Sequence, residues 1–367
     1  MTLRAELRRD RGLTQFLGKR MSGTELVNRD RISIITILLT YRCPASCDHC
    51  VFESSPRQKV KVDINVARRV IEAASRQNPP PVLGFSGGEP FLCLEEMQAL
   101  TTFAAERGMP SEVVSSSAWV RNAEHAHQVL SDLAARGLQT YCTSVDRYHT
   151  PFVKSNKMRI ALLAARDVGL HTIINSQADP SFSKTEGDKA LIAYLAGVLD
   201  LPEATIRSFQ INPLVTTPVG RGRTNVTDFI YDPAKDMDEG CPMATEVVTL
   251  SPYGLLYPCC GMVVGEPIDR AQLFVQDDLA ERSVDEIALI LEKLKRDLFF
   301  KILQYLGPYR LLQELKRRNP ELATRDRYVG TCDVCLEFTN NPRIAEAARS
   351  FLDDCRKGGV VPIMQAE

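Results

Sequence analysis

The sequence has no stretch able to span a membrane. Its longest strongly apolar run, Ile32 to Leu39, is far short of the roughly 20 residues a bilayer crossing needs. It has no excess of either charge. Lys and Arg number 45 against 46 Asp and Glu, so the formal net charge is −1, which gives no reason to expect nucleic acid or an anionic membrane as a partner. It also has no secretion signal. Residues 1–31 carry eight Lys or Arg, but no apolar core follows this basic start. These residues are expected to form a solvated arm, with substrate holding as the alternative, and the chain is expected to be cytoplasmic. Repeats and low-complexity tracts are missing too.

Cysteine, by contrast, is abundant. Eleven cysteines in 367 residues, odd in number and with no export signal, argue against a disulfide framework and for metal binding or thiol chemistry. A 44% hydrophobic and 25% charged composition is that of an ordinary globular protein, long enough for one large catalytic domain and an appendage.

Up to about residue 231, short apolar segments alternate with amphipathic ones. Strands are expected at Ile32–Thr40, Val82–Ser86, Glu112–Ser116, Thr140–Ser144, His171–Ser176 and Ile206–Leu214. Helices are expected between them, at Val62–Arg76, Leu94–Arg107, Ala123–Arg136, Met158–Val168 and Ala190–Leu199. Six β-then-α units imply a parallel sheet with right-handed crossovers, an α/β fold closer to a partial (β/α)6 barrel of the TIM type than to a closed eight-unit one. The pattern changes near residue 232. Two strand-like pieces, Val247–Leu250 and Leu255–Tyr257, flank the turn signal Pro252-Tyr253-Gly254. A helical stretch from Val284 to Leu306 is broken at Gly307-Pro308 and resumes to about Arg318, and a final helix covers Ile344–Cys355. The expected organisation is an arm (1–31), the partial barrel (32–231), a second domain with a helical insertion (232–340), and a helix with a tail (341–367).

Cys43-Pro-Ala-Ser-Cys47-Asp-His-Cys50 directly follows the first strand. Three thiolates on one short loop can hold three irons of a [4Fe–4S] cluster and leave the fourth iron open. A structural zinc site would want a fourth ligand, and His49 sits between two of the cysteines with no room to reach the same metal. Gly87-Gly88-Glu89-Pro90 ends the second strand, Ser115-Ser116-Ser117 the third and Ser144-Val-Asp146 the fourth, while Asn175 and Gln177 share a face at the end of the fifth. Functional groups of barrel enzymes gather at these carboxyl ends. CxxxCxxC after strand one and GGEP after strand two, in that order, resemble the radical S-adenosylmethionine (SAM) superfamily. The resemblance implies that SAM binds the open iron and yields a 5′-deoxyadenosyl radical that takes a hydrogen atom from the substrate. It also implies that Gly87, Gly88 and Glu89 hold the SAM amino group, and that Ser115, Ser117, Ser144, Asp146, Asn175 and Gln177 are its further contacts.

Cys241 is followed by twelve residues, Gly254, four more and Cys259, with Cys332-Asp-Val-Cys335 much later. This pattern is similar to the opening of SPASM and twitch domains, in which such a hairpin ligates an auxiliary cluster. Four thiolates would complete one auxiliary [4Fe–4S] cluster, and the same spacing suits a four-thiolate zinc site. The helices between Cys259 and Cys332 are expected either to pack over the barrel mouth or to serve as scaffold.

Several stretches together resemble a narrower group, the radical SAM enzymes that epimerise residues of ribosomally made peptides. They are the first cysteine loop with Ser54-Ser55-Pro56, Phe85-Ser-Gly-Gly-Glu89, Ser144-Val-Asp-Arg-Tyr-His149-Thr-Pro-Phe-Val-Lys-Ser155, Tyr257-Pro-Cys259-Cys260 and Cys332-Asp-Val-Cys335. The resemblance implies that Cys260, on a loop expected to face the barrel mouth, gives a hydrogen atom to a substrate radical. Glu246 is the nearest match to the acidic residue that assists that thiol. The implied partners are a peptide substrate, or a small molecule, and an electron donor such as flavodoxin or ferredoxin. The rival readings are a radical dehydrogenase, a sugar or aminoglycoside epimerase, a peptide thioether-crosslinking enzyme and a non-enzymatic iron–sulfur partner.

Overall fold

The computed structural model describes residues 31–177, 187–231, 237–238, 240–259, 261 and 277–357. Cys260, all but the last residue of the expected N-terminal arm and the end of the C-terminal tail therefore lie outside the described residues. The chain builds β1 (Ile34–Thr40), α1 (Ile64–Ser75), β2 (Val82–Gly87), α2 (Leu94–Ala105), β3 (Ser111–Ser115), α3 (Ala123–Ala135), β4 (Leu138–Ser144), α4 (Ser155–Asp167), β5 (His171–Gln177), α5 (Gly187–Leu199) and β6 (Gln210–Leu214). β1 to β6 pair in sequence order, every pair parallel. This is the expected partial (β/α)6 barrel.

Alternation within each strand explains why the sheet curves round a lumen. Ile35, Ile37 and Leu39 of β1, Leu83 and Phe85 of β2, Val113 of β3 and Tyr141 of β4 are buried in one apolar layer with Val70, Ile71, Met97, Leu100, Leu130 and Leu133 of the helices. The opposite face carries Thr36, Gly84, Glu112, Thr140, Cys142, Ser144 and Asn175, which share register rows across the strands. A side chain of period two cannot serve both layers, so hydrophobic outward and polar inward is the arrangement that closes.

The sixth strand is shorter than the expected Ile206–Leu214. Glu203–Ile206 is a helical turn begun by Pro202, and Ile206 is fully buried under α5 rather than paired in the sheet.

After the barrel come β7 (Val247–Leu250), β8 (Leu255–Tyr257), β9 (Asp277–Asp278), α6 (Val284–Arg296), α7 (Leu298–Leu306), α8 (Pro308–Arg318), α9 (Thr331–Cys335) and α10 (Pro342–Arg356). The expected hairpin is present: β7 and β8 are antiparallel about Ser251–Gly254. β7 also continues the barrel sheet, pairing parallel to β1 with Ile34 opposite Val247 and Ile37 opposite Leu250. The long helical stretch breaks once more than expected, at Asp297. That residue is extended and caps α7 by accepting from the N–H groups of Phe299 and Phe300, as Asp does at helix N-termini. Among the described residues no helix is long and apolar enough to cross a membrane.

Gly87-Gly88 is where the barrel's second strand meets the chain leaving its first. Gly88 N–H donates to Thr40 O at 2.7 Å and Glu89 N–H to Arg42 O at 2.9 Å. A β-carbon on Gly88 would lie 2.1 Å from Arg42 O, and one on Gly87 (φ +122°) 2.4 Å from Thr40 O. Gly88→Ala should therefore push the start of the cysteine loop off the sheet and lower stability by about 3 kcal/mol. Chemical denaturation of the metal-free protein reads this, and an unchanged midpoint would refute it.

Candidate functional site

Cys43, Cys47 and Cys50 lie on the loop that leaves the carboxyl end of β1. Cys43 and Cys47 are buried and Cys50 half-buried, packed with Ala45 and Tyr148. Burial pushes the Cys43 thiol up to about 12, with the charges of Glu89 and Cys50 adding to the effect. Burial also raises Cys47, helped by Cys50 and Cys43. Three thiols close enough to oppose each other's ionisation are matched to a shared cationic group. The donor set therefore fits an iron cluster bound through three thiolates. Ser54 N–H already donates to Cys50 Sγ at 3.4 Å, the kind of contact that tunes a cluster's sulfurs.

The strand ends around this loop are more self-contained than the sequence implied. Glu89 is fully buried. It accepts from Ser115 Oγ at 2.9 Å, Ser116 N–H at 3.0 Å, Ser116 Oγ and Phe91 N–H at 3.3 Å. Burial raises its carboxyl despite these donors. Ser117, at φ 65°, places its Oγ 2.8 Å from Tyr141 Oη and 2.6 Å from Thr143 Oγ1. The side chains of Glu89, Ser115 and Ser117, expected to contact a ligand, also make these contacts within the protein. The reason is that a buried carboxylate and a buried tyrosine hydroxyl must be satisfied where they sit.

Asp146 is likewise bonded within the protein. Its Oδ1 accepts from Tyr148 N–H at 2.9 Å, His149 N–H at 3.1 Å and His149 Nδ1 at 2.9 Å, and Oδ2 from Gln177 N–H at 3.4 Å. This fixes the turn so that Tyr148 stacks on His49 at 4.6 Å and His149 meets His49 edge-on at 5.0 Å. Burial, then the neighbouring His149, brings His49 down to about 4. His49 thus works as a neutral aromatic wedge between two of the cysteines. The ligand atoms of His49, Asp146 and His149 lie within 4.8 Å of one another, but Asp146 Oδ1 is already committed to three donors.

Ser144, Asn175 and Asn212 occupy one register row at the carboxyl ends of β4, β5 and β6. Asn212 Nδ2 donates to Asn175 Oδ1 at 3.2 Å, and Thr216 Oγ1 donates to Gln177 Oε1 at 3.0 Å. Ser144 and Gln177 are half-buried. These groups remain the lumen-facing polar set at the mouth.

Cys241, Cys259, Cys332 and Cys335 line one apolar cavity with Met243, Leu303 and Gly261. A β-carbon on Gly261 would sit 3.9 Å from both Cys259 Sγ and Cys332 Sγ. Cys335 is raised by burial and then by the charges of Cys241 and Cys332. The four thiols therefore converge as a four-thiolate site requires. Asp333, between the two cysteines of α9, accepts from Arg325 at 2.8 Å and from Val329 N–H at 2.9 Å, and Arg325 also reaches Glu337 at 2.7 Å. This pins the Cys332–Cys335 turn.

This cavity does not lie at the barrel mouth. Thr245 N–H bonds Pro258 O, and Glu246 O accepts from Ser33 N–H at 2.8 Å and Ile34 N–H at 3.0 Å. Thr245 and Glu246 therefore stand at the amino end of β1, opposite Cys43. α7 belongs to the same end: Cys241 N–H bonds Leu303 O, and Gln304 Nε2 donates to Ala244 O at 2.6 Å. Of the two placements expected for the inserted helices, the mouth is excluded for α7. Glu246 is half-buried at the foot of β7, on the cavity's side of the barrel.

One site residue escaped the sequence reading altogether. Arg221, in the loop after β6, donates from Nη1 to Cys47 O at 2.9 Å and from Nη2 to Ser54 O at 2.5 Å. Its only trace in the sequence is the run Gly220-Arg221-Gly222-Arg223.

A partial parallel barrel with a three-cysteine loop after β1, a Gly-Gly-Glu turn after β2 and a four-cysteine hairpin site after β6 resembles the radical SAM enzymes in fold and in motif order. No protein-family model matches the chain. Over 314 residues, 84% of this chain and 92% of the relative, it is 24% identical to YydG of Bacillus subtilis (strain 168), provisionally named a peptide biosynthesis protein. Solved structures similar to it include Streptococcus suis SuiB bound to precursor peptide SuiA (11% identical, 77% of this chain and 70% of that one, TM-score 0.49). Another is anSMEcpe with bound AdoMet and Cp18Cys peptide (10% identical, 89% and 99%, TM-score 0.48).

The Asp146 carboxyl sits in a setting where burial alone would raise it. His149, His49 and the Tyr148 N–H nevertheless hold it below the ordinary aspartate value of 3.8. A depressed carboxyl contributes stability that is complete above its unfolded value and is lost as pH falls through the native one. Asp146→Asn should cost about 2 kcal/mol at pH 7, the scale of a charged hydrogen bond. The gap to wild type should close as pH falls below 3.8. Denaturation curves across pH read this, and a gap independent of pH would refute it.

Proposed function

We propose that the chain is a radical SAM enzyme that removes a hydrogen atom from a residue of a ribosomally made peptide and inverts that residue from L to D. The observation that carries this reading is the placement of two thiol sites at opposite ends of one strand pair. Cys43, Cys47 and Cys50 stand at the carboxyl end of β1. Cys241, Cys259, Cys332 and Cys335 stand at the end where β1 and β7 begin. A seven-residue strand at about 3.3 Å per residue separates its ends by roughly 20 Å, and the polar lumen lies between. A substrate lodged there is open to one group from above and another from below, as inversion at a carbon requires. The peptide biosynthesis role named for YydG, similar over most of its length, supports a peptide as substrate.

In this reading Cys43, Cys47 and Cys50 hold the SAM-binding [4Fe–4S] cluster, and Cys241, Cys259, Cys332 and Cys335 hold an auxiliary [4Fe–4S] cluster. When bound, the first cluster and SAM supply the 5′-deoxyadenosyl radical as hydrogen abstractor. The protein's own part is aim and exclusion of water. Gly87 and Gly88 bring backbone close to the cysteine loop, and Ser144, Asn175 and Gln177 offer hydrogen bonds at the mouth. Cys260, assigned through the Tyr257-Pro-Cys259-Cys260 resemblance, gives its thiol hydrogen to the substrate carbon from the face opposite SAM. Re-forming the Cys260 thiol takes one proton, assigned to Glu246, half-buried at the auxiliary end, and one electron, which a bound auxiliary cluster would supply.

Two measurements test this. Anaerobic reconstitution should give about eight irons per chain, falling to about four in a Cys332→Ala, Cys335→Ala double variant. One bound zinc and about four irons in the wild type would instead mark the second site as structural zinc. With SAM, a reductant and the precursor peptide in deuterated water, the peptide should gain one mass unit and a D-residue. Cys260→Ala should abolish this while 5′-deoxyadenosine still forms. A peptide lighter by two hydrogens, unaffected by the variant, would overturn epimerisation in favour of oxidation or crosslinking.

A further inference from the structure

The cysteine loop is held from across the barrel by the loop that follows β6. Gly220 (φ +51°) lets this segment pass so close that a β-carbon there would lie 2.6 Å from Cys50 O and 2.5 Å from Val51 O. Arg221 N–H bonds Cys50 O at 3.1 Å. Its guanidinium takes Cys47 O and Ser54 O, one carbonyl on either side of Cys50. Gly222 packs against His49, where a β-carbon would stand 3.5 Å from His49 Cα. Asn225 Nδ2 donates to Asp48 Oδ1 at 2.8 Å. The same loop is tied to the end of β4 by Arg147 and Asp228 at 2.6 Å. Three carbonyls of one eight-residue stretch are thus collected by a single arginine.

The arginine does more than close a loop. Its charge sits against the loop that carries the thiols: the guanidinium spans Cys47 O and Ser54 O, one on either side of Cys50. A fixed cation beside a thiolate-bound cluster stabilises whichever redox state carries more negative charge, here the reduced one. A guanidinium bonded in a fork to two carbonyls is held in place beside the loop.

We propose that Arg221 is the positioning residue of the SAM-cleaving cluster, clamping the Cys47–Ser54 arc and making the cluster easier to reduce. This rests on the reading that Cys43, Cys47 and Cys50 hold a cluster, and it assigns a role to a residue far from them in sequence.

The test compares reconstituted wild type, Arg221→Gln, Arg221→Lys and a Cys43→Ala, Cys47→Ala, Cys50→Ala triple variant. The readouts are redox titration followed by electron paramagnetic resonance, and hydrogen exchange over residues 47–55. The wild type should show a reducible signal that the triple variant lacks. If it does not, the cluster reading itself fails. Given that signal, Arg221→Gln should shift its midpoint to more negative potential. Arg221→Lys, which keeps the charge without the fork, should return the midpoint towards wild type. Both variants should exchange faster than wild type over 47–55. A purely structural arginine would speed exchange and leave the midpoint alone, and that result overturns the electrostatic role. Wild-type exchange in both variants overturns the clamp. If Arg221→Gln takes up no iron, Arg221→Lys decides alone: a near-wild-type midpoint with faster exchange supports the proposal, and a midpoint shifted to more negative potential overturns it.

Discussion

The parallel pairing of β7 with β1 is the constraint on which the site depends. It starts with Ile34 opposite Val247, where Ile34 N–H bonds Glu246 O, and runs for four residues. Had the hairpin attached in the other sense, the chain on either side of it would have emerged at the mouth, and both cysteine sites would have shared one end of the barrel. Because β7 runs with β1, and β8 returns against it, Cys241 and Cys259 are both delivered to the floor. The pairing is secured by burial: Val247, Val248, Thr249 and Leu250 are all buried, and Leu256 and Tyr257 behind them are fully so. Because both faces of this strand are covered, the distance between the two thiol sites is set by packing rather than by any group in either site.

At the mouth the organising principle is different. The cysteine loop has no regular structure of its own, and its backbone polar groups are satisfied by neighbours that arrive from several strands. β2 contributes the Gly88 and Glu89 N–H groups, taken up by Thr40 O and Arg42 O. β4 contributes the aromatic pair Tyr148 and His149 against His49. The loop after β6 contributes Arg221 and Asn225. Glu89 joins β2 to β3 through Ser115 and Ser116. A loop held by so many separate elements is rigid only when the whole barrel is formed. On the proposed reading, that suits a site which must keep three thiolates at fixed spacing while leaving one position open to a ligand.

Most of this architecture was legible in the sequence, and the reasons are physical. Strand and helix positions came from periodicity, which is strong in segments such as Ile34–Thr40 and weak where a short segment is apolar on all sides. Ile206 was assigned to β6 on hydrophobicity alone, although Pro202 starts a helical turn there. Asp297 was passed over because the apolar period runs on through it, while its capping role depends on backbone geometry. The cysteine spacings exposed both thiol sites, since metal ligands must recur at short separations. What spacing cannot carry is direction. Ser115, Ser117, Asp146 and Glu89 sit at the expected strand ends, and nothing in the sequence shows that their side chains also form hydrogen bonds inside the protein. Arg221 was invisible for the converse reason: its partners are backbone carbonyls, more than 160 positions away, and carbonyls leave no mark on sequence.

The two ends of the lumen also divide the chemistry on the proposed reading. Reactive carbon species need a dry, fixed environment more than they need acids and bases, and the barrel supplies it unevenly. At the mouth the polar row of Ser144, Asn175 and Asn212 is only partly enclosed, which suits entry of an extended peptide and exit of spent SAM. At the floor the cavity is walled by Met243, Leu303 and the four cysteines. Catalysis by hydrogen-atom transfer would then rest less on any one residue than on which end of the sheet each thiol occupies, and the β1–β7 register fixes that assignment before any cofactor binds.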